Sequence, residues 1–237
     1  MARKAKKGKT EKGKKRASAR KPTRKSVKRT VSNRANAKPK AKARAAKKAA
    51  PKKAAIMPLI STPLKGQANV LVTFDPNHRG TAELELREVL KQAGEKPQIG
   101  ETGIEGLFKI SVSDARKVVT RIKQLCGSNP NLFAVTHHYT PIDAWCLSEV
   151  HLIQKLVRAA SEGIGQSEKW KLGLNKRHWN KLEGGQLIIK LTDMVDRKNV
   201  DLDSPDRIVQ VEILGKEAGV ALLTPNDVLD VEKEKGV

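Results

Sequence analysis

Apolar residues recur along this chain with two periods, every second position and every third to fourth, and their order predicts its elements. Val70 to Phe74 is a short run of strand formers closed by the turn Asp75-Pro76-Asn77. From Thr81, Leu84, Val89 and Leu90 recur near helical period until Gly94 stops the helix. A strand is expected at Pro97 to Ile99, then a turn around Gly103. In the next run Phe108, Ile110 and Val112 alternate with Lys109 and Ser111, so the two strands suggest a hairpin. Ser113 is placed to cap a helix with Val118, Val119, Ile122 and Leu125 on one face, ended by Gly127, and Leu132 to Tyr139 returns as a strand.

The second half begins with a helix capped by Ser148, with Val150, Ile153, Leu156, Val157 and Ala160 inward, ending at Gly163. In the strand that follows, Trp170, Leu172 and Leu174 share one face, while Lys169, Lys171, Asn175 and Arg177 take the other. Another helix is expected from about Gln186 to Val195. Val200 to Leu202 then extends, Asp203-Ser204-Pro205-Asp206 turns, and Arg207 to Leu214 forms a strand with Val209, Val211 and Ile213 on one face. Residues 215–219 turn back into a strand from Val220 to Leu223, and the polar stretch after it reads as a fraying edge.

Charge divides the chain more sharply than periodicity does. Residues 1–55 hold 24 of the 48 Lys and Arg but one of the 25 acidic residues, Glu11, so the remainder carries 24 of each sign. A segment with no aromatic residue and one sign of charge cannot bury enough apolar surface to offset its conformational entropy, which predicts a disordered basic tail. Such a polycation binds nucleic acid by releasing condensed counterions, without regard to sequence, so selection must lie in the rest. Residues 56–67, with Pro58, Pro63 and Gly66, read as a linker. No signal-peptide core and no apolar run long enough to span a bilayer occurs, and Cys126 and Cys146 form no close pair. We therefore expect a reduced, cytoplasmic protein with no membrane association, with a nuclear or nucleolar location as the alternative if the source is eukaryotic.

Catalytic motifs are weak. His137 and His138 should point to opposite faces of their strand, and Cys146 with His151 lacks a third group. No Gly-rich phosphate loop occurs, so no cofactor is expected, and Asp201, Asp203, Pro205 and Asp206 fit a turn better than a metal site. The basic strand face ending in Lys176-Arg177, next to a surface bearing Lys190, can grip phosphates, with the Arg fork adding bidentate contacts. Trp170 belongs to the apolar strand face. Trp179, beyond the strand, is the better candidate for stacking on a base.

The order β-α-β-β-α-β over residues 69–139 is the ferredoxin-like plan. Asn175-Lys176-Arg177 after an amphipathic strand, followed by residues 200–206 leading into Ile208 to Ile213, resembles the THUMP RNA-binding domain over roughly residues 142–224. The expected fold is thus α+β, with a ferredoxin-like domain at 68–141 and a THUMP-like α/β domain at 142–237. As a whole the chain is similar to stand-alone THUMP proteins that serve the tRNA cytidine acetyltransferase. The resemblance implies binding of the unpaired 3′ end of tRNA, a role carried to Lys171, Lys176, Arg177 and Lys190. It also implies N4-acetylation of a tRNA cytidine by that partner. Because the chain stops soon after its last expected strand, leaving no room for a fused catalytic domain, it is expected not to be an enzyme.

Overall fold

The computed structural model describes residues 67–96 and 98–236, so the basic tail and nearly all of the linker lie outside the described residues. The first module follows the expected order. Its strands are β1 (Val70–Phe74), β2 (Ile99–Glu101), β3 (Leu107–Ile110) and β4 (Thr136–Pro141), with helices α1 (Arg79–Gln92) and α2 (Ala115–Ser128). The strands run β2-β3-β1-β4, all neighbours antiparallel. The second module has β5 (Ala144–Leu147), α3 (Val150–Ser161), β6 (Trp170–Arg177), α4 (Gly184–Thr192), β7 (Arg207–Leu214) and β8 (Glu217–Leu223), in the order β5-β8-β7-β6. The architecture is α+β, two modules each of sheet and helices.

Local chemistry explains these elements and corrects some of their expected details. In α1 the buried positions are Ala82, Leu86, Val89 and Leu90, which share one face. Leu84 is 71% exposed, because two residues from Leu86 is about 200° around the helix. Asp114, not Ser113, caps α2 by accepting the Lys117 N–H at 3.2 Å, and Ser113 instead donates its hydroxyl to Glu95. Gly127 lies within α2 rather than ending it. Ser148 does not cap α3, since its hydroxyl donates to the Gly215 carbonyl at 2.7 Å. α4 ends at Thr192, leaving Met194 half exposed.

Two strands were not foreseen. β5 pairs antiparallel with β8, burying Trp145 and Cys146. The C-terminal stretch does not fray: β9 (Leu229–Asp230) pairs with β4, and α5 (Val231–Lys235) follows, capped by Asp230. Leu229 and Val231 sit in the core formed by β1, β3, α1 and α2, so residues 229–235 complete the first module although expected in the second. Their signal is short, two apolar residues among charges, and only the neighbouring sheet edge makes a strand of it.

Each sheet carries its helices on one face. The opposite faces meet along an apolar seam of Leu71 and Leu107 from the first sheet and Trp145 and Leu214 from the second, with Ile142 of the connection between them. Lys109 reaches across, pairing with Glu217 and lying 4.1 Å from the centre of the Trp145 ring. Arg116 of α2 holds Asp143 through two bonds of 2.7 and 2.9 Å and donates to the Leu222 carbonyl at 2.8 Å. Among the described residues no helix is long and apolar enough to cross a membrane.

Candidate functional site

β6 is an edge strand, parallel to β7 and in register from Trp170 opposite Arg207 to Arg177 opposite Leu214. Alternation along it sends Trp170, Leu172 and Leu174 into the core under α3 and α4. Lys176 continues that face, and its ammonium donates to the Leu182 carbonyl at 2.8 Å, tying down the chain after the strand. Lys171, Asn175 and Arg177 take the other face. Lys171 and Arg177 stand at opposite ends of it, about 20 Å apart at the rise of a strand. Lys171 donates to the Leu202 carbonyl at 3.2 Å.

Beyond the apolar seam the two sheet faces diverge into a cleft of about 500 Å³. Glu212 lines it and is only 4% exposed. One carboxylate oxygen accepts the Asn175 and Gln210 amide N–H groups, each at 2.7 Å, and the other lies 3.7 Å from the Arg177 guanidinium. Burial pushes the Glu212 carboxyl above the ordinary carboxylate range, while Asn175, Gln210, Arg177 and, from the facing sheet, His138 pull it back down. Gly173 makes the arrangement possible: a Cβ there would stand 2.1 Å from the Gln210 side-chain oxygen. The facing wall comes from β1 and β4, where the Thr73 hydroxyl and the His138 Nδ1 are 3.2 Å apart. Pairing of β1 with β4 shifts register between Thr73 and Phe74, so His137 and His138 both line the cleft where strict alternation would part them.

The five residues singled out from sequence therefore do not form one patch. Lys171 and Arg177 share the cleft side of β6, Lys176 lies on the helix side, and Lys190 is exposed on the last turn of α4. Trp179 is not available for stacking. It is 4% exposed within the second core and donates its indole N–H to the Ser148 carbonyl at 3.1 Å, because the chain turns inward after His178, which adopts φ 55°. Trp170 is core, as its position on the strand predicted.

Other candidates have plain structural roles. Burial pushes the Cys146 thiol up to about 11, which removes it as a nucleophile near neutral pH. Asp201 accepts the Asp203 and Ser204 N–H groups at 3.0 and 2.9 Å. The backbone bond from Ser204, then the Lys169 ammonium, lower its carboxyl to about 2. Glu212 and Gln210 were missed as site residues by sequence reasoning. Polar residues alternating with Val209, Val211 and Ile213 look solvent-facing until a second sheet covers that side.

No protein-family model and no curated protein matches the sequence. Among solved structures the chain is similar to PH1313 from Pyrococcus horikoshii, with 13% identity over 66% of this chain and 54% of that one and a TM-score of 0.49. It is similar to TrmN from Thermus thermophilus, with 14% identity over 65% and 44% and a TM-score of 0.44. A 4-thiouridine synthetase in complex with RNA and ATP matches at 15% identity over 69% and 42%, with a TM-score of 0.44. The chain spans about half or less of the length of these proteins. The expectation that it is not an enzyme is corrected here, since the structures it is similar to include a synthetase. Sequence spacing excluded only local catalytic motifs. It could not see titratable groups gathered from distant strands, as Glu212, Arg177, His137 and His138 are in the cleft.

Proposed function

We propose that this protein binds RNA, with the unpaired 3′ end of tRNA as its preferred target, in the service of tRNA modification. The observation that carries the reading is the cleft-side face of β6, where Arg177 and Asn175 stand over a polar recess between two sheets. Support comes from the 24 cations of residues 1–55, which supply sequence-indifferent affinity for phosphates, and from Lys171 and Lys190 on the surface of the second module. The division of labour is affinity from the tail and choice from the body. In this reading residues 68–141, completed by the returning segment 229–235, are a ferredoxin-like domain, and the rest of 142–237 is a THUMP-like one, on the resemblance stated above. The same resemblance makes N4-acetylation of a tRNA cytidine the modification and the tRNA cytidine acetyltransferase the partner.

Crosslinking of the chain to RNA in cells, followed by sequencing, tests the binding. Enrichment of tRNA acceptor ends is expected, and a spread over unrelated RNAs would reduce the function to general RNA binding. Acetylation of tRNA by the acetyltransferase should rise when this chain is added. An unchanged rate would remove that partner, and turnover of tRNA by the chain alone would place the chemistry within it.

A further inference from the structure

The cleft is poorly built for phosphate. Glu212 neutralises the one guanidinium within it, and Glu232 adds a second carboxylate to its lining, so a polyanion gains little there. What the cleft offers instead is hydrogen-bonding groups of both kinds. Asn175 and Gln210 each give one N–H to Glu212, which leaves each amide a second N–H and Asn175 a carbonyl oxygen with which to meet a ligand, while the Gln210 carbonyl is turned into the notch at Gly173. His138 and Thr140 face them from the first sheet, and Leu71 and Leu107 contribute apolar surface. A recess of about 500 Å³ with apolar surface and a few fixed polar groups suits a small flat heterocycle.

We propose that the cleft takes one unpaired nucleobase, and that Glu212 is a positioning residue holding Asn175, Gln210 and Arg177 in the orientation that reads its edge. The proposal rests on the RNA-binding reading above and adds to it which group of the RNA enters and what orients the reader. A buried carboxylate can be retained for this purpose: without it both amides would rotate freely, and Gly173 would have no reason to leave room for the Gln210 side chain. A base, unlike a phosphate, can satisfy both an amide donor and an amide acceptor at once.

The test uses the full chain and two RNA hairpins, one with a short unpaired 3′ overhang and one ended blunt, titrated against the parent and the variants Glu212→Gln, Gln210→Ala and His138→Ala. The parent should prefer the overhang. In each variant the ratio of the two affinities should fall by about tenfold, the equivalent of one lost base-edge contact, while the salt slope set by phosphate contacts stays the same. In the parent, the side-chain amide NMR signals of Asn175 and Gln210 should shift on adding the overhang hairpin and not the blunt one. Signals indifferent to the overhang would place the base outside the cleft, and a purely structural Glu212 would leave both the shifts and the preference of a folded Glu212→Gln as in the parent. Should Glu212→Gln fail to fold, the two other variants and the amide signals decide. Salt-dependent binding with no preference for the overhang would overturn the cleft proposal and leave the RNA-binding reading standing, whereas no binding of either hairpin would end both.

Discussion

Lys176 and Arg177 are neighbours in the chain and leave β6 on opposite sides: one ammonium donates to the Leu182 carbonyl beneath the helices, the other residue's guanidinium stands beside Glu212 in the cleft. Their substitutions should separate accordingly. Lys176→Ala removes a single bond to a carbonyl and should cost about 1 kcal/mol of stability with little change in RNA affinity. Arg177→Ala should weaken RNA binding and, by leaving Glu212 short of a partner, lower stability as well. Chemical denaturation and direct titration of both variants check this, and equal effects on binding would mean that the two residues act as one patch after all.

Trp179 is a core residue, and its replacement should show it. Trp179→Ala empties a packed site and orphans the Ser148 carbonyl, which should cost about 3 to 5 kcal/mol in denaturant unfolding. Trp179→Phe keeps most of the volume and should retain RNA affinity within error, where a stacking residue would also tolerate Phe but an Ala variant that still folds would lose binding.

Stability should depend on pH through Glu212. Its carboxyl is held above the ordinary glutamate range by burial, so in the window just above that range the folded chain keeps a proton that the unfolded chain has released. The folded state binds more protons there, and stability falls as pH rises through the window. Other carboxylates act in the opposite sense, Asp201 foremost, since its lowered value adds stability that is lost as pH falls toward about 2. The comparison is therefore with Glu212→Gln, whose stability should decline less than the parent's across the upper window, measured by denaturant midpoints at a series of pH values.

How far the sequence reaches is shown by particular stretches. Alternation in β6 and the helical period of α2 and α3 were legible because one face of each is apolar and the other polar, so local pattern and tertiary burial agree. β5 was not legible, since Ala144 to Leu147 is short and gains its partner, β8, only after two helices and two strands intervene. The site was half legible. A basic strand face can be seen from spacing alone, but whether that face meets water or another sheet is decided by long-range packing, and so the pairing of Arg177 with Glu212 could not be foreseen.

The C-terminal segment gives a further measurable outcome. Leu229 is fully buried beside β4 and the first module's helices, so Leu229→Ala should destabilise that module by about 2 to 5 kcal/mol. Hydrogen exchange should show the loss in β1, β3 and β4 first. Protection lost only in β6 to β8 would contradict the placement of this segment.

That return of the chain to its first sheet has a consequence for synthesis on the ribosome. Domains made early ordinarily finish folding while later ones are still being translated. Here β4 waits as an uncovered edge, and the core behind it stays open at Leu229 and Val231, until the second module has been made in full. The first module is therefore begun first and closed last, and during the interval its exposed strand is the part of the nascent chain most in need of a chaperone.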